Sequence, residues 1–419
     1  MDTASTDLKD PDRRHFLKSA GAGVTAAAVL LSPREAAAVQ EQARKAALDR
    51  LASNSWPLRQ LFKSRTAPTA GAAVLQPAGR RGDFAADAEA IAGNPNAKEA
   101  LAVAEKARAA RAKLPNTAEM KKKYGELTGL DFPQFTKDTF PGVTRMDIRS
   151  SLFGDITDDS MFLPPQNGQP GYFDPMSPSG RKWLDTLAGT LVKTGTKVQH
   201  ISNNAPSELA SYGSPEADAG RKAGVAVAKR WLEGCAVLGV KSMRMNSPQA
   251  FGAPIRPNAV PRGPGDGYPR NIDMVPMLAA AIESYKEMAD FGGNLGIRVT
   301  IENHWGLAAD PANIRTIIDE VNHPYCEASP DFCNWEQEYM LFNGLKMVAP
   351  YAHTHVHAKY WDRWGDRNDV QRSTRIMLAS GFRGTFALEY EQGPWDGVEG
   401  AQYLYREVLK ALTEPTPVI

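Results

Sequence analysis

Four short stretches in the second half of the sequence carry metal-binding or proton-transferring side chains directly after apolar residues. They are Val299-Thr-Ile-Glu-Asn-His304, Ser329-Pro-Asp-Phe-Cys-Asn334, His353-Thr-His-Val-His-Ala-Lys359 and Phe386-Ala-Leu-Glu-Tyr-Glu391. Together they offer Glu302, Asp331, a histidine triplet and Glu389. Three carboxylates with one neutral imidazole make a hard donor set suited to one Mn²⁺ or Mg²⁺, with Co²⁺ and Zn²⁺ also compatible. Moving a proton on a carbon beside a carbonyl needs a base over that carbon and a counter-charge for the enediolate oxygen. A dication supplies the second; a pair of glutamates supplies the base and the returning acid. Without an ion the clustered carboxylates repel one another, which raises their pKa values.

These side chains need elements that converge. Ile297, Val299 and Ile301 alternate with Arg298, Thr300 and Glu302, the period of a strand, and Gly306 then frees the chain to turn. The other three stretches have the same shape. His353, His355 and His357 share one strand face, so one or two of them can reach an ion. His357, nearest the strand end, is preferred over His355, and His353 is expected lower down. Upstream, Val143–Arg149, Lys197–Ile201 (with His200) and Val240–Asn246 (with Arg244) also read as strands. Between strands lie helical segments such as Arg221–Leu238, closed by Gly239, and the one opened by Asp310-Pro311. Such alternation predicts a parallel sheet. No dinucleotide-type glycine fingerprint follows a first strand, so the expected fold is α/β, a (β/α)8 TIM barrel with an extra helical N-terminal segment. Barrels of this kind carry their sites at the C-terminal ends of the strands.

The N-terminus reads as an address. Asp12-Arg-Arg-His-Phe-Leu-Lys18, an apolar run from Ala20 to Leu31 and small residues at Ala36–Ala38 form a twin-arginine signal pattern. The apolar run is too short to span a bilayer, so a periplasmic or secreted protein without a stable membrane anchor is expected. The division follows: residues 1–38 signal peptide, 39–118 helical and loop extension, 119–415 barrel. Within the extension, Glu41–Leu51 and Asn96–Leu114 read as helices, and the first barrel strand is expected near Glu119–Leu127. A proline- and glycine-rich loop at 253–270 follows the Arg244 strand.

With 419 residues the chain has length to spare for one barrel, and its formal net charge of +1 argues against a nucleic-acid partner. Of the three cysteines, Cys326 and Cys333 could bridge in an oxidising compartment, while Cys235 reads as a buried apolar residue.

The words Leu238-Gly-Val-Lys-Ser-Met-Arg244, Val299-Thr-Ile-Glu-Asn-His304, Pro330-Asp-Phe-Cys-Asn334, His355-Val-His-Ala-Lys359 and Ala387-Leu-Glu-Tyr-Glu391 recur in one order. From about Asp131 to Leu412 they make the chain resemble the xylose isomerase-like TIM barrels, the sugar isomerase/epimerase superfamily. The resemblance implies one divalent ion on Glu302, Asp331, His357 and Glu389, with Glu302 and Glu389 as the acid/base pair. It departs at Lys359, which Tyr360 follows where the family often has Asp, and this leaves the substrate open.

The remaining candidates are for substrate binding: His304, Asn334, His355, Lys359 and Glu391, and more weakly Arg244, Asn246 and His200. Trp305, Trp335, Trp361 and Trp395 stand near strand ends, where an aromatic face suits a sugar ring. The expected function is an exported, metal-dependent isomerase or epimerase acting on a small-molecule carbohydrate. The alternative keeps the same site for a lyase or dehydratase acting on a keto-sugar or 3-keto-glycoside. A metal-dependent phosphodiesterase and a non-catalytic sugar-binding protein are the lesser readings. Barrels of this kind often pair, and a homo-oligomer is compatible with the sequence, though no surface is marked for it.

Overall fold

The structure, a computed structural model, describes residues 32–63, 109, 112–164, 171–203, 209–245, 274–304, 306–335 and 337–414. Most of the signal segment, nearly all of the expected 96–114 helix, the 253–270 loop, Asn246 and Trp305 lie outside them. The chain divides into two units, Met1–Arg44 and Lys45–Ile419. Helix α1 (Pro33–Leu48) begins in the first and ends in the second, and Ala36–Ala38 fall inside it. Among the described residues no helix is long and apolar enough to cross a membrane.

The second unit is built on eight parallel strands: β1 (Leu51–Asn54), β2 (Arg145–Arg149), β3 (Lys197–Ser202), β4 (Ser242–Arg244), β5 (Arg298–Ile301), β6 (Cys326–Ala328), β7 (His355–Trp361) and β8 (Thr385–Gln392). They lie in the order β6-β5-β4-β3-β2-β1-β8-β7. The two ends of that order meet through a parallel bridge between Asp331 and His357. There Phe332 N–H donates to His357 C=O at 3.1 Å and His357 N–H donates to Pro330 C=O at 3.1 Å. The seam therefore falls between two of the expected metal ligands.

Local signals set the helices that return the chain between strands. α4 (Pro178–Thr194) and α5 (Pro215–Leu238) start on Ser177 and Ser214, whose hydroxyls accept from backbone N–H groups, with a proline in the first turn. They stop at Gly195 and Gly239, both at φ near +67°, which a glycine adopts without the Cβ clash. α7 (Pro311–Val321) is capped by Asp310 as expected and ends on a left-handed Asn322. α6 (Val275–Asn294), α8 (Met340–Val348), α9 (Val370–Ala379) and α10 (Gly397–Thr413) complete the outer layer.

The first strand departs from expectation. Residues 117–124 form helix α2, not a strand, because Asn116 and Glu119 close a capping box over a lysine-rich turn. Helix α3 (Phe132–Thr139) follows it. The barrel takes its first strand from Leu51-Ala-Ser-Asn54 instead, fully buried between β8 and β2. A strand of four residues in an alanine-rich tract shows no alternation, so only pairing on both sides makes it one. Leu51 is wholly buried, a gain of about 1.5–3 kcal/mol for that side chain.

Of the cysteines, Cys235 is buried as expected, while Cys326 and Cys333 do not pair. All three are free and buried. Cys326 lies inside β6, and the Cys333 thiol donates to the Lys359 carbonyl at 3.1 Å, so no Cys326–Cys333 bridge forms.

Candidate metal centre

Four neighbouring strands deliver the acidic and basic groups. β5 ends at Ile301 and presents Glu302; the turn after β6 presents Asp331; β7 carries His357 and Lys359; β8 carries Glu389 and Glu391. One oxygen each of Glu302 and Asp331 and a ring nitrogen of His357 lie within 4.8 Å of one another, all buried. His357 Nδ1 stands 3.5 Å from Glu302 Oε2 and 3.7 Å from Glu389 Oε2. Neither His357 Nδ1 nor Asp331 Oδ2 has a hydrogen-bond partner. The other oxygen of Asp331 accepts from the Cys333 and Asn334 N–H groups at 2.7 and 2.9 Å, which fixes the free one. Buried polar atoms left open toward one point among carboxylates are what a divalent ion satisfies. Glu302, Asp331 and His357 fit such an ion, with Glu389 beside them, and a second buried group of Asp147, His200, His355 and His357 could hold one too.

Behind His357 stands a residue that the sequence reading passed over. Asp147, on β2, accepts at Oδ2 from His357 Nε2 at 2.9 Å, His355 Nε2 at 3.2 Å and Asn54 Nδ2 at 2.8 Å. Ser202 Oγ donates to its Oδ1 at 2.9 Å. Burial alone would raise the Asp147 carboxyl, but these hydrogen bonds hold it well below the usual carboxylate range. An ionised Asp147 holds a proton of His357 on Nε2, which makes Nδ1, facing the acids, the nitrogen that would give up its proton to an ion. The only signal for it in the sequence was the charged end of the Val143–Arg149 strand.

Two cations counter the acids from within. Arg244 donates to Glu302 Oε2, and Asn334 Nδ2 donates to Glu302 Oε1 at 2.8 Å. Lys359 Nζ lies 2.9 Å from Glu389, 3.0 Å from Glu391 and 3.5 Å from Asp331. The general rise in pKa expected for clustered carboxylates is therefore confined. Burial, reinforced by Glu389 and Glu302 against the pull of Lys359, pushes Asp331 up to about 7. Glu302 is held well below its ordinary value, because Arg244 and His357 outweigh burial. Burial would lower both His357 and Lys359, yet the surrounding acids raise each well above its usual range.

Above this floor opens a cleft of about 370 Å³, lined among others by Asn54, Trp56, Arg149, Arg244, His304, Asn334, Lys359, Trp361, Glu389 and Glu391. His304, Asn334, Lys359 and Glu391 thus sit where substrate contacts were expected. Asn334 and Lys359 also hold carboxylates, and Glu391 accepts from Trp56 Nε1 at 2.6 Å. Arg244 faces the cleft while paired to Glu302.

Two expected substrate residues are placed elsewhere. His355 lies one step deeper on β7, against Asp147 and Thr385 Oγ1 (2.9 Å), and stacks on His200 with ring centroids 4.1 Å apart. His200 is fully buried and hydrogen-bonds Ser242 Oγ at 2.7 Å. Strand alternation puts both on the inner face, but their depth takes them below the cleft. His353 precedes β7 and is exposed rather than packed inside. Of the tryptophans, Trp361 lines the cleft, Trp335 is wholly buried and Trp395 stacks on Tyr403. Trp56 and Arg149, which no sequence pattern singled out, line it as well.

A family model for the xylose isomerase-like TIM barrel matches residues 159–414, and the chain belongs to that family. Among solved structures it is similar to a xylose isomerase-like TIM barrel protein from Mycobacterium smegmatis in complex with magnesium, at 16% identity, covering 65% of this chain and 85% of that one, TM-score 0.42. It is also similar to a 3-keto-D-glucoside 4-epimerase from E. coli, at 15% identity, 67% and 93% coverage, TM-score 0.45. A third is a D-psicose 3-epimerase from Clostridium cellulolyticum H10, at 13% identity, 68% and 92% coverage, TM-score 0.43. No curated protein matches the chain.

Proposed function

We propose that this protein is a divalent-metal-dependent carbohydrate isomerase or epimerase that moves a proton on a carbon next to a carbonyl. The observation that carries the reading is the approach of both Glu302 and Glu389 to one buried nitrogen, His357 Nδ1, at 3.5 and 3.7 Å. Glu302, Asp331, His357 and Glu389 would hold a divalent cation there, which would supply Lewis-acid polarisation of a substrate oxygen. Glu389 lines the cleft and takes the proton from the substrate carbon. Glu302, oriented by Arg244 and Asn334 and held ionised, draws a proton from solvent as charge builds on the substrate and gives it to the carbon, while Glu389 releases its own to solvent. Lys359, charged and 2.9 Å from Glu389, steadies the negative charge that builds beside it.

The test is incubation of the Mn²⁺-loaded protein with a panel of keto-sugars in D₂O. Deuterium should appear at the carbon beside the carbonyl, and Glu389→Gln should slow this by about 10²–10⁴-fold. Absence of exchange across the panel would remove the reading. Release of an aglycone from a 3-keto-glycoside would assign elimination at the same site instead.

Export by the twin-arginine route belongs to the same proposal, supported by Arg13-Arg14 and the apolar run to Leu31. Replacing both arginines by lysine should retain the protein in the cytoplasm on cell fractionation. Unchanged distribution would refute export by this route.

A further inference from the structure

Every carboxylate in the cleft already has a cationic or amide partner, and one cation is left over. Glu302 is taken by Arg244 and Asn334, and Glu389, Glu391 and Asp331 by Lys359. Arg149, at the end of β2, lines the same cleft, yet its guanidinium makes no ion pair and no hydrogen bond among the described residues. Its single side-chain contact of a directed kind is with Trp56, over whose ring it lies at 4.3 Å.

That contact is itself fixed. Trp56 donates from Nε1 to Glu391 at 2.6 Å and from its backbone N–H to Asn54 Oδ1 at 2.7 Å. Arg59 also lies over the Trp56 ring, at 4.3 Å, and spends its own donors on the Trp56 and Glu391 carbonyls. The Arg149 backbone N–H donates to Ser55 Oγ at 2.9 Å. A guanidinium stacked on a rigid indole keeps its planar edge, with its paired N–H donors, available in a set direction. Burial together with repulsion from Arg244 brings Arg149 down to about 10 against the pull of Glu389 and Glu391, so it stays charged at neutral pH while its guanidinium donors lack a hydrogen-bond partner among the described residues.

We propose that Arg149 is a carboxylate-binding residue and that the substrate is a sugar acid, its carboxylate held edge-on by this guanidinium above the metal centre. The proposal rests on the carbohydrate reading of the same cleft and names the substrate class within it. One unpaired guanidinium matches one carboxylate in charge and in bidentate geometry; a phosphate dianion would call for a second free cation.

The test is calorimetric binding of matched pairs to the Mn²⁺-loaded full chain: glucose with glucuronate, galactose with galacturonate, mannose with mannuronate, and glucose 6-phosphate as a further anion. In at least one pair the uronate should bind about tenfold or more tightly than its neutral partner. Arg149→Gln should abolish that ratio, and Arg149→Lys should lose most of it because the fork is gone. Metal content and melting temperature identify variants that remain folded and loaded. No uronate binding more tightly than its partner would overturn the proposal. So would a ratio that survives Arg149→Gln, which would place the carboxylate on the ion, or glucose 6-phosphate binding more tightly than every uronate. The exchange experiment in D₂O is independent: a uronate preference without deuterium uptake would leave the subsite standing and remove proton transfer.

Discussion

His357 and Asp147 form a buried pair in which one imidazole nitrogen serves the carboxylate and the other serves the acids. Nε2 lies 2.9 Å from Asp147 Oδ2, and Nδ1 lies 3.5 Å from Glu302 and 3.7 Å from Glu389. The two residues come from β7 and β2, which are two strands removed from each other across β8 and β1. Asp147 thereby occupies the ring nitrogen of His357 that faces away from Glu302 and Glu389.

Asp147→Asn keeps the shape and removes the charge. Metal affinity should fall about 10–100-fold, as for other carboxylates that orient a ligating histidine. Competition titration of Mn²⁺ against a chelator measures it. An unchanged affinity would show that His357 needs no such support.

Metal binding should release protons, and their number should depend on pH. Asp331 is raised to about 7 and His357 well above its ordinary range, so below pH 7 both carry protons that an ion must displace. Near pH 8 Asp331 is already ionised. Calorimetry in buffers of different ionisation enthalpy should therefore show the proton count per ion falling by about one between pH 6 and pH 8. A pH-independent count would contradict the assignment of these two groups as ligands.

Lys359 is the buried counter-charge of three acids. Lys359→Met would leave them facing one another, and the metal-free protein should lose on the order of 3–5 kcal/mol. Added Mn²⁺ should restore part of that loss, because the ion takes over the role of the ammonium. Thermal melts of both proteins with and without Mn²⁺ decide it: a loss of stability that metal leaves untouched would mean Lys359 acts through packing alone.

At the opposite ends of the strands Glu327 is fully buried, accepts from the Thr354 N–H at 3.0 Å and lies 3.4 Å from Arg298. Burial pushes it up to about 7, against the pull of its partners. A carboxyl raised on folding binds its proton more tightly in the folded state. Its protonated form therefore costs nothing extra below the unfolded value near 4.5, and stability is lost as pH rises from there through 7. Glu327→Gln should flatten that slope, leaving the variant on the order of 2–3 kcal/mol more stable than the native chain at pH 8 relative to pH 4.5. Denaturant melts across this range provide the check, and parallel curves for the two proteins would exclude Glu327 as the source.

What the sequence by itself determined was local. Alternation with an abrupt acid or imidazole marked the ends of β5, β7 and β8, a glycine marked where α5 stops, and an aspartate-proline pair marked where α7 starts. Those features depend on neighbours within one turn or one strand, so they survive in a linear reading. Glu302, Asp331, His357 and Glu389 could be named because each closes such a stretch. What only the tertiary structure decided was depth, pairing and partnership. Leu51–Asn54 is a strand because β8 and β2 hydrogen-bond to it, whereas residues 119–124 wind into α2 and only Leu127 pairs, in an isolated bridge with Phe62. His200 and His355 share the inward face that alternation predicts, but barrel stagger puts them beneath the cleft. Asp147, Trp56 and Arg149 come from the first two strand ends and act through residues far off in sequence. A side chain's role there depends on which charges face it across the barrel, and that is a property of closure rather than of any stretch of sequence.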